Sequence, residues 1–298
     1  MTTMKKLILS ISMFVLLTAL PVHAQSTVGY QQGYARNKAE ALHEGLWDGL
    51  VGCWSPSLGN TGLQLRDQVR GNHGTLTNMD GSNWVVTENG YSLEFDGVSE
   101  EVAIPNHESL NVFNGDFTII TSLRSSESTN AAPIISQYNN NSPRWAFRIV
   151  DASVTGSGAA FYSNGSSGTK RTGSSIVVND GLTHTIAVVR KASAVNILTD
   201  GIDNTTVDDG HSVDFNTSDT LMIGRNEDPS INTQQSLDFI LIYNRALTQS
   251  EIQQLYVDPQ ALFRLKPQPF VVPVAASTRR IMFISQYIND LIETYKYN

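Results

Sequence analysis

Residues 236–257 read SLDFILIYNRALTQSEIQQLYV, and two different periodicities stand back to back in them. In the first half Leu237, Phe239, Leu241 and Tyr243 alternate with Asp238, Ile240, Ile242 and Asn244. The β-branched and aromatic content and the period of two predict a strand. After Arg245 and Ala246 the period becomes helical. Thr248 and Glu251 have the spacing of a capping box, in which each side chain bonds the other residue's backbone N–H. Leu247, Ile252, Leu255 and Tyr256 then share one side of a short helix. A long strand stopped by a capped helix closes a domain.

Upstream, the same alternation recurs in short runs. Strands are predicted at 46–54, 63–67, 91–97, 101–104, 116–123, 133–137, 145–150, 159–162, 183–190, 195–199 and 220–224, with a short apolar run at 84–86. Turn residues such as Asn60-Thr61-Gly62, Asp96-Gly97 and Asp200-Gly201 separate them. Residues 163–173 are rich in Gly and Ser and read as a loop. A dozen short strands and one terminal helix predict an all-β antiparallel sandwich.

Outside this core lie three further segments. Residues 1–24 hold Lys5-Lys6, an apolar run from Leu7 to Leu20 and the small-residue ending Val22-His23-Ala24. This is the pattern of a signal peptide cut after Ala24, which places the chain in a secreted, periplasmic or cell-surface setting. A membrane anchor needs ~20 apolar residues, and Pro21 interrupts the run. Residues 25–45 read as a polar leader, helical around 35–43. Residues 258–298 combine Pro259, Pro267, Pro269 and Pro273 with a stripe of Ile281, Ile284, Ile288, Leu291 and Tyr295. That stripe predicts an amphipathic helix suited to self-packing or to holding a homo-oligomer together.

The formal charge is −8, and losing residues 1–24 removes two lysines and no acids. An acidic exported chain is a poor match for nucleic acid, which demands basic patches. Cys53, the single cysteine, lies between Val51-Gly52 and Trp54 and reads as a small buried hydrophobe.

The order of several punctuation marks carries a resemblance. Gly71-Asn72-His73-Gly74 is followed by Leu93-Glu94-Phe95-Asp96-Gly97, then by Asp180-Gly181-Leu182-Thr183-His184-Thr185-Ile186-Ala187. Val195 to Gly201, Met222-Ile223-Gly224-Arg225 and the closing stretch complete the series. Across 46–257 the chain resembles the laminin-G-like jelly rolls of the concanavalin A-like lectin/glucanase superfamily. The resemblance implies two packed antiparallel sheets, one concave, with ligands on that face or its rim. It also implies one structural calcium ion between the first and last strands, for which Asp67, Asp96 and Asp238 are the candidate oxygen ligands.

Two chemistries compete for the function. Tyr138, Asn139, Asn140 and Tyr162 offer aromatic faces beside amide donors, as sugars require. Trp145 stands with them, although its apolar area favours the core. Against this, Glu94-x-Asp96 resembles the start of the Glu-x-Asp-x-x-Glu strand of β-glucan hydrolases in the same superfamily. Here the third carboxylate, Glu100, comes one residue late, and a one-residue slip turns a strand side chain to the other face. The expectation is an exported, non-catalytic carbohydrate-binding or adhesion module with a glycan or cell-surface partner. A structural or assembly protein and a β-glucan hydrolase are the alternatives.

Overall fold

A computed structural model describes residues 33–267, except 139–142, 153, 155–157, 166–167, 212–214 and 226–230. The expected signal peptide, the start of the leader and the amphipathic stripe lie outside the described residues, as do Asn139 and Asn140. Met1–Leu265 and Lys266–Asn298 are separate compact units, and all elements below belong to the first.

Its strands, in chain order, begin with β1 (Leu50–Trp54), β2 (Gln64–Leu65), β3 (Gly74–Thr77), β4 (Trp84–Thr87), β5 (Gly90–Asp96) and β6 (Glu101–Ile104). The middle of the chain supplies β7 (Phe117–Arg124), β8 (Ala132–Gln137), β9 (Arg144–Ile149), β10 (Ala159–Gly165) and β11 (Gly168–Ser174). β12 (Thr183–Lys191), β13 (Ala194–Thr199), β14 (Ile202–Asp203), β15 (Thr205–Asp208), β16 (Leu221–Ile223) and β17 (Gln234–Tyr243) follow. The helix α1 is Gln249–Val257. Every pairing between strands is antiparallel. The first sheet runs β14-β13-β12-β7-β17-β5-β4, with β1 also on β17, and the second runs β15-β11-β10-β9-β8-β16-β6-β3-β2. Trp54, Phe113, Phe117, Trp145, Phe147, Phe161 and Phe215 fill the layer between them, which makes the molecule a jelly-roll β-sandwich.

The closing stretch is the seam of the first sheet. β17 pairs with β7 along its length, while its other edge takes β5 against its first half and β1 against its second. Its facing differs from strict alternation. Leu237 stands opposite Leu123 and Phe239 opposite Ser122, so Asp238 is an extra residue, a β-bulge. Leu237 therefore faces the inner core with Ile240 and Ile242. Phe239, Leu241 and Tyr243 face the outer side, where a second apolar cluster forms.

That second cluster is covered by α1 and by the leader. Thr248 and Glu251 make the reciprocal cap, Glu251 N to Thr248 Oγ1 at 3.3 Å and Thr248 N to Glu251 Oε2 at 2.8 Å. Ile252 and Leu255 are buried against the sheet, but Tyr256 is 43 % exposed, one position beyond the contact face. Residues 33–45 form no α-helix. Ala35 N donates to Phe263 O and Leu42 N to Arg264 O, and Ala41 bridges Leu265. Those tertiary bonds take the place of helical ones, so the described leader closes the outer face. Among the described residues no helix is long and apolar enough to cross a membrane.

The Gly/Ser-rich 163–173 stretch contains a hairpin rather than a loop alone. β10 and β11 pair from Ala160↔Gly173 to Gly165↔Gly168. β11 lacks apolar alternation because its inward Thr172 bonds Asp208 and His211 instead of packing as hydrocarbon.

Candidate functional site

The outer face of the second sheet is built by register. Tyr162 on β10 stands opposite Ala146 on β9 and Arg171 on β11, while Arg148 stands opposite Ala160 and Arg144 opposite Asn164. Side chains alternate across a strand, so Arg144, Ala146 and Arg148 share the outer face and Trp145, Phe147 and Ile149 the inner one. The small Ala146, Ala160 and Gly173 leave room for long side chains to lie flat over Tyr162.

Those side chains are guanidinium groups. The guanidinium carbons of Arg148, Arg171 and Arg144 lie 4.5, 5.6 and 6.0 Å from the centre of the Tyr162 ring. Arg144 and Arg148 also lie 4.5 and 5.6 Å from the centre of Tyr138, and the two tyrosine rings are 5.8 Å apart. Cation–π attraction of this kind fixes both partners. Burial alone would raise the Tyr162 phenol, but hydrogen bonds with Thr169, Arg144 and Asn164 and the Arg144 charge lower it overall. Arg148 is tied to Asp151 at 3.4 Å.

The structure thus brings Tyr138 and Tyr162 together and separates Trp145 from them. Trp145 is fully buried, packs 4.6 Å from Phe113 and donates its Nε1–H to Gln137 Oε1 at 2.9 Å. It lies inside the sandwich because it is one residue out of phase with the arginines. Those arginines were not among the residues the sequence singled out for ligand contact. Two signals held them: the spacing of Arg144 and Arg148, which puts both on one strand face, and the four basic residues against one acid in 138–174.

The carboxylates expected to hold calcium are each engaged with local donors. Asp67 accepts four backbone N–H bonds, from Cys53 and Val69 on Oδ1 and from Arg70 and Asn72 on Oδ2. Asp96 Oδ1 accepts from Val98 N and Ser99 N in a turn. Asp238 accepts from Ser92 Oγ and Ser122 Oγ. Burial pushes Asp238 up against the lowering effect of those two bonds and of Arg124. Among the described residues no group of three or more His, Cys, Asp or Glu side chains could hold a metal. Asp67, Asp96 and Asp238 are not brought together into one such group.

Around Asp238, the outer face of the first sheet is polar. Glu94 faces Arg124 at 3.6 Å, beside a hollow of 290 Å³ lined by Ser125, Ser126, Gln234 and Ser236. Glu100 does not stand on β5. Its Oε2 accepts from Asp96 N at 2.6 Å and its Oε1 from Asn83 Nδ2 at 2.8 Å, which holds the turn after that strand. Cys53 is buried, and desolvation with the nearby Asp67 charge pushes its thiol up, away from nucleophilic chemistry.

Two antiparallel sheets, a capped closing helix and a polar outer face define a lectin-like β-sandwich. Residues 96–253 match the family model of laminin-G type described as the concanavalin A-like lectin/glucanases superfamily, and the chain belongs to that family. No curated protein sequence matches the chain. Similar solved structures include the binding domain of Paraclostridial Mosquitocidal Protein 1, at 16 % identity and TM-score 0.54 over 71 % of this chain and 52 % of that one. The binding domain of Botulinum Neurotoxin DC, solved in complex with SialylT, gives 15 %, 0.53, 70 % and 51 %. Trypanosoma rangeli sialidase gives 18 %, 0.51, 71 % and 33 %. The chain spans about a third to a half of those proteins, and at such identities the likeness is one of fold.

Proposed function

We propose that this chain is an exported, non-catalytic carbohydrate-binding module whose ligand lies on the outer face of β9, β10 and β11. The observation that carries the reading is the Tyr138–Tyr162 pair, set with Arg144, Arg148, Arg171 and Asn164 on one sheet face. Rigid aromatic rings with fixed polar donors around them suit sugar rings and hydroxyls. The binding domains and sialidase of similar fold support a glycan ligand without naming one for this chain. The absence of catalysis is supported by Glu100, which serves a turn, and by Glu94, which faces an arginine. Retaining glycosidases need two free carboxyl groups about 5 Å apart.

A glycan array probed with the full chain, in calcium and in EDTA, tests the reading. Binding should survive EDTA and fall ~10-fold in Tyr138→Ala, the worth of about 1.4 kcal/mol. An empty array would defeat it. Laminarin hydrolysis lost in Glu94→Gln would defeat its non-catalytic half.

A further inference from the structure

We propose that the glycan taken by this face is acidic, a carboxylated or sulfated sugar whose anionic group is held by Arg144, Arg148 and Arg171. The inference rests on the glycan-binding reading above and adds the ligand's charge. Three guanidinium carbons lie within 6.0 Å of one ring centre. Like charges so close repel, and the repulsion grows as water is removed. The stretch 138–174 supplies Arg144, Arg148, Lys170 and Arg171 against one acid, Asp151, in a chain whose formal charge is −8. The cations are therefore concentrated here against the trend of the whole molecule.

Their donors are also incompletely satisfied among the described residues. Arg148 is 8 % exposed, and its Nε has no hydrogen-bond partner among the described residues. The Nε of Arg171 is also buried without one. A buried guanidinium N–H without an acceptor is costly. An oxyanion of planar or tetrahedral shape accepts from such forks in pairs. The tyrosine rings hold the guanidiniums in place before the ligand arrives, which lowers the ordering cost of binding. A polyanion is disfavoured, because the patch is small and the surrounding chain acidic, so nucleic acid is not the ligand inferred.

The test titrates the full chain with lactose, sialyllactose and sulfated lactose at low and at high salt. The acidic sugars should bind at least ~10-fold more tightly than lactose, less so at high salt. Arg171→Gln should erase that preference, while Arg171→Lys, which keeps charge but not the fork, should restore part of it. Preference for only one acidic sugar would assign the anion as carboxylate or sulfate and support the proposal. Equal binding of neutral and acidic sugars, unchanged by Arg171→Gln, would overturn the acidic inference and leave the glycan reading standing. Binding of no sugar, here or on the array, would overturn both. An acidic preference insensitive to Arg171→Gln but lost in Arg124→Gln would move the site to the first sheet and overturn this placement.

Discussion

The two outer faces of the sandwich are treated in opposite ways. Over the first sheet, Ile120, Ala187, Val189, Leu198, Phe239, Leu241 and Tyr243 form an apolar surface that α1 and the leader cover. Over the middle of the second, Tyr138, Arg144, Arg148, Tyr162 and Arg171 form a cationic, aromatic layer in which Tyr162 is 5 % and Arg148 8 % exposed. A sheet with hydrocarbon on both sides needs another layer, and the chain supplies one from its own ends. A sheet with guanidinium groups on its outer side needs none for stability, and that is the face proposed above to take a ligand. The difference separates a face that holds the fold from the face proposed to carry its function.

Phe239→Ala strikes the covered face and should have the largest effect. The ring is 2 % exposed, and its removal leaves a cavity between β17 and its cover. A loss of about 3–5 kcal/mol is expected in urea unfolding. It should not vary between pH 5 and 7, because hydrocarbon does not titrate. A loss below about 1 kcal/mol would mean that the cover is loosely seated and the contrast between the faces overdrawn.

Residues 236–257 display the fold in the sequence because burial on a strand and capping on a helix both leave periodic marks. The slip at Asp238 left none: with apolar residues on both faces of β17, a bulge reverses the facing without disturbing the hydrophobic run. β11 was hidden for a different reason, since its inward position is Thr172, satisfied by His211 and Asp208. Contact with 263–265 decides the conformation of the leader, and local propensity carries no record of a partner more than two hundred residues away. At the candidate site, residue type alone singled out Tyr138 and Tyr162, whose rings lie 5.8 Å apart. The arginines needed the strand face as well as the composition.

His211 gives a second, smaller contrast, on the inner side of the second sheet. It is buried, with Nδ1 2.7 Å from Ser163 Oγ and Nε2 3.1 Å from Thr172 Oγ1. Burial pushes its pKa down to about 4, with Arg190 adding to the shift and Asp208 opposing it. The folded value lies below the unfolded one, so the neutral ring is favoured by folding. Its contribution is complete above pH 6.5 and is lost as pH falls toward 4. Between pH 7 and 5 this costs about 2 kcal/mol. The buried Asp238 carboxyl, shifted up, works the other way at lower pH. Urea unfolding at pH 7 and 5 should show the loss, and His211→Gln should flatten it; an unchanged slope would assign the pH dependence to other groups.

Thr248→Ala removes one side of the capping box on the covering helix. A cost of about 1 kcal/mol is expected, read as a shift in urea midpoint without a change in slope. The outer cluster should loosen first, seen as faster amide exchange in α1 than in β9 or β10. Uniform loss of protection in both sheets would instead mean that cover and sandwich unfold as one unit.

Arg171→Gln should have the smallest effect on stability and decides the most. The side chain lies half-buried on the outer face of β11, touches the Tyr162 ring and stands close to two other cations. Removing it loses one cation–π contact of about 0.5–1 kcal/mol and relieves repulsion of opposite sign. The net change should therefore stay within about 0.5 kcal/mol. A loss above about 2 kcal/mol would show that the arginines hold the second sheet together, as the apolar cluster holds the first, and the open face would lose its claim to be a site. Near-neutral stability with weakened binding of acidic sugars would place this cationic cluster among features kept for function rather than for the fold.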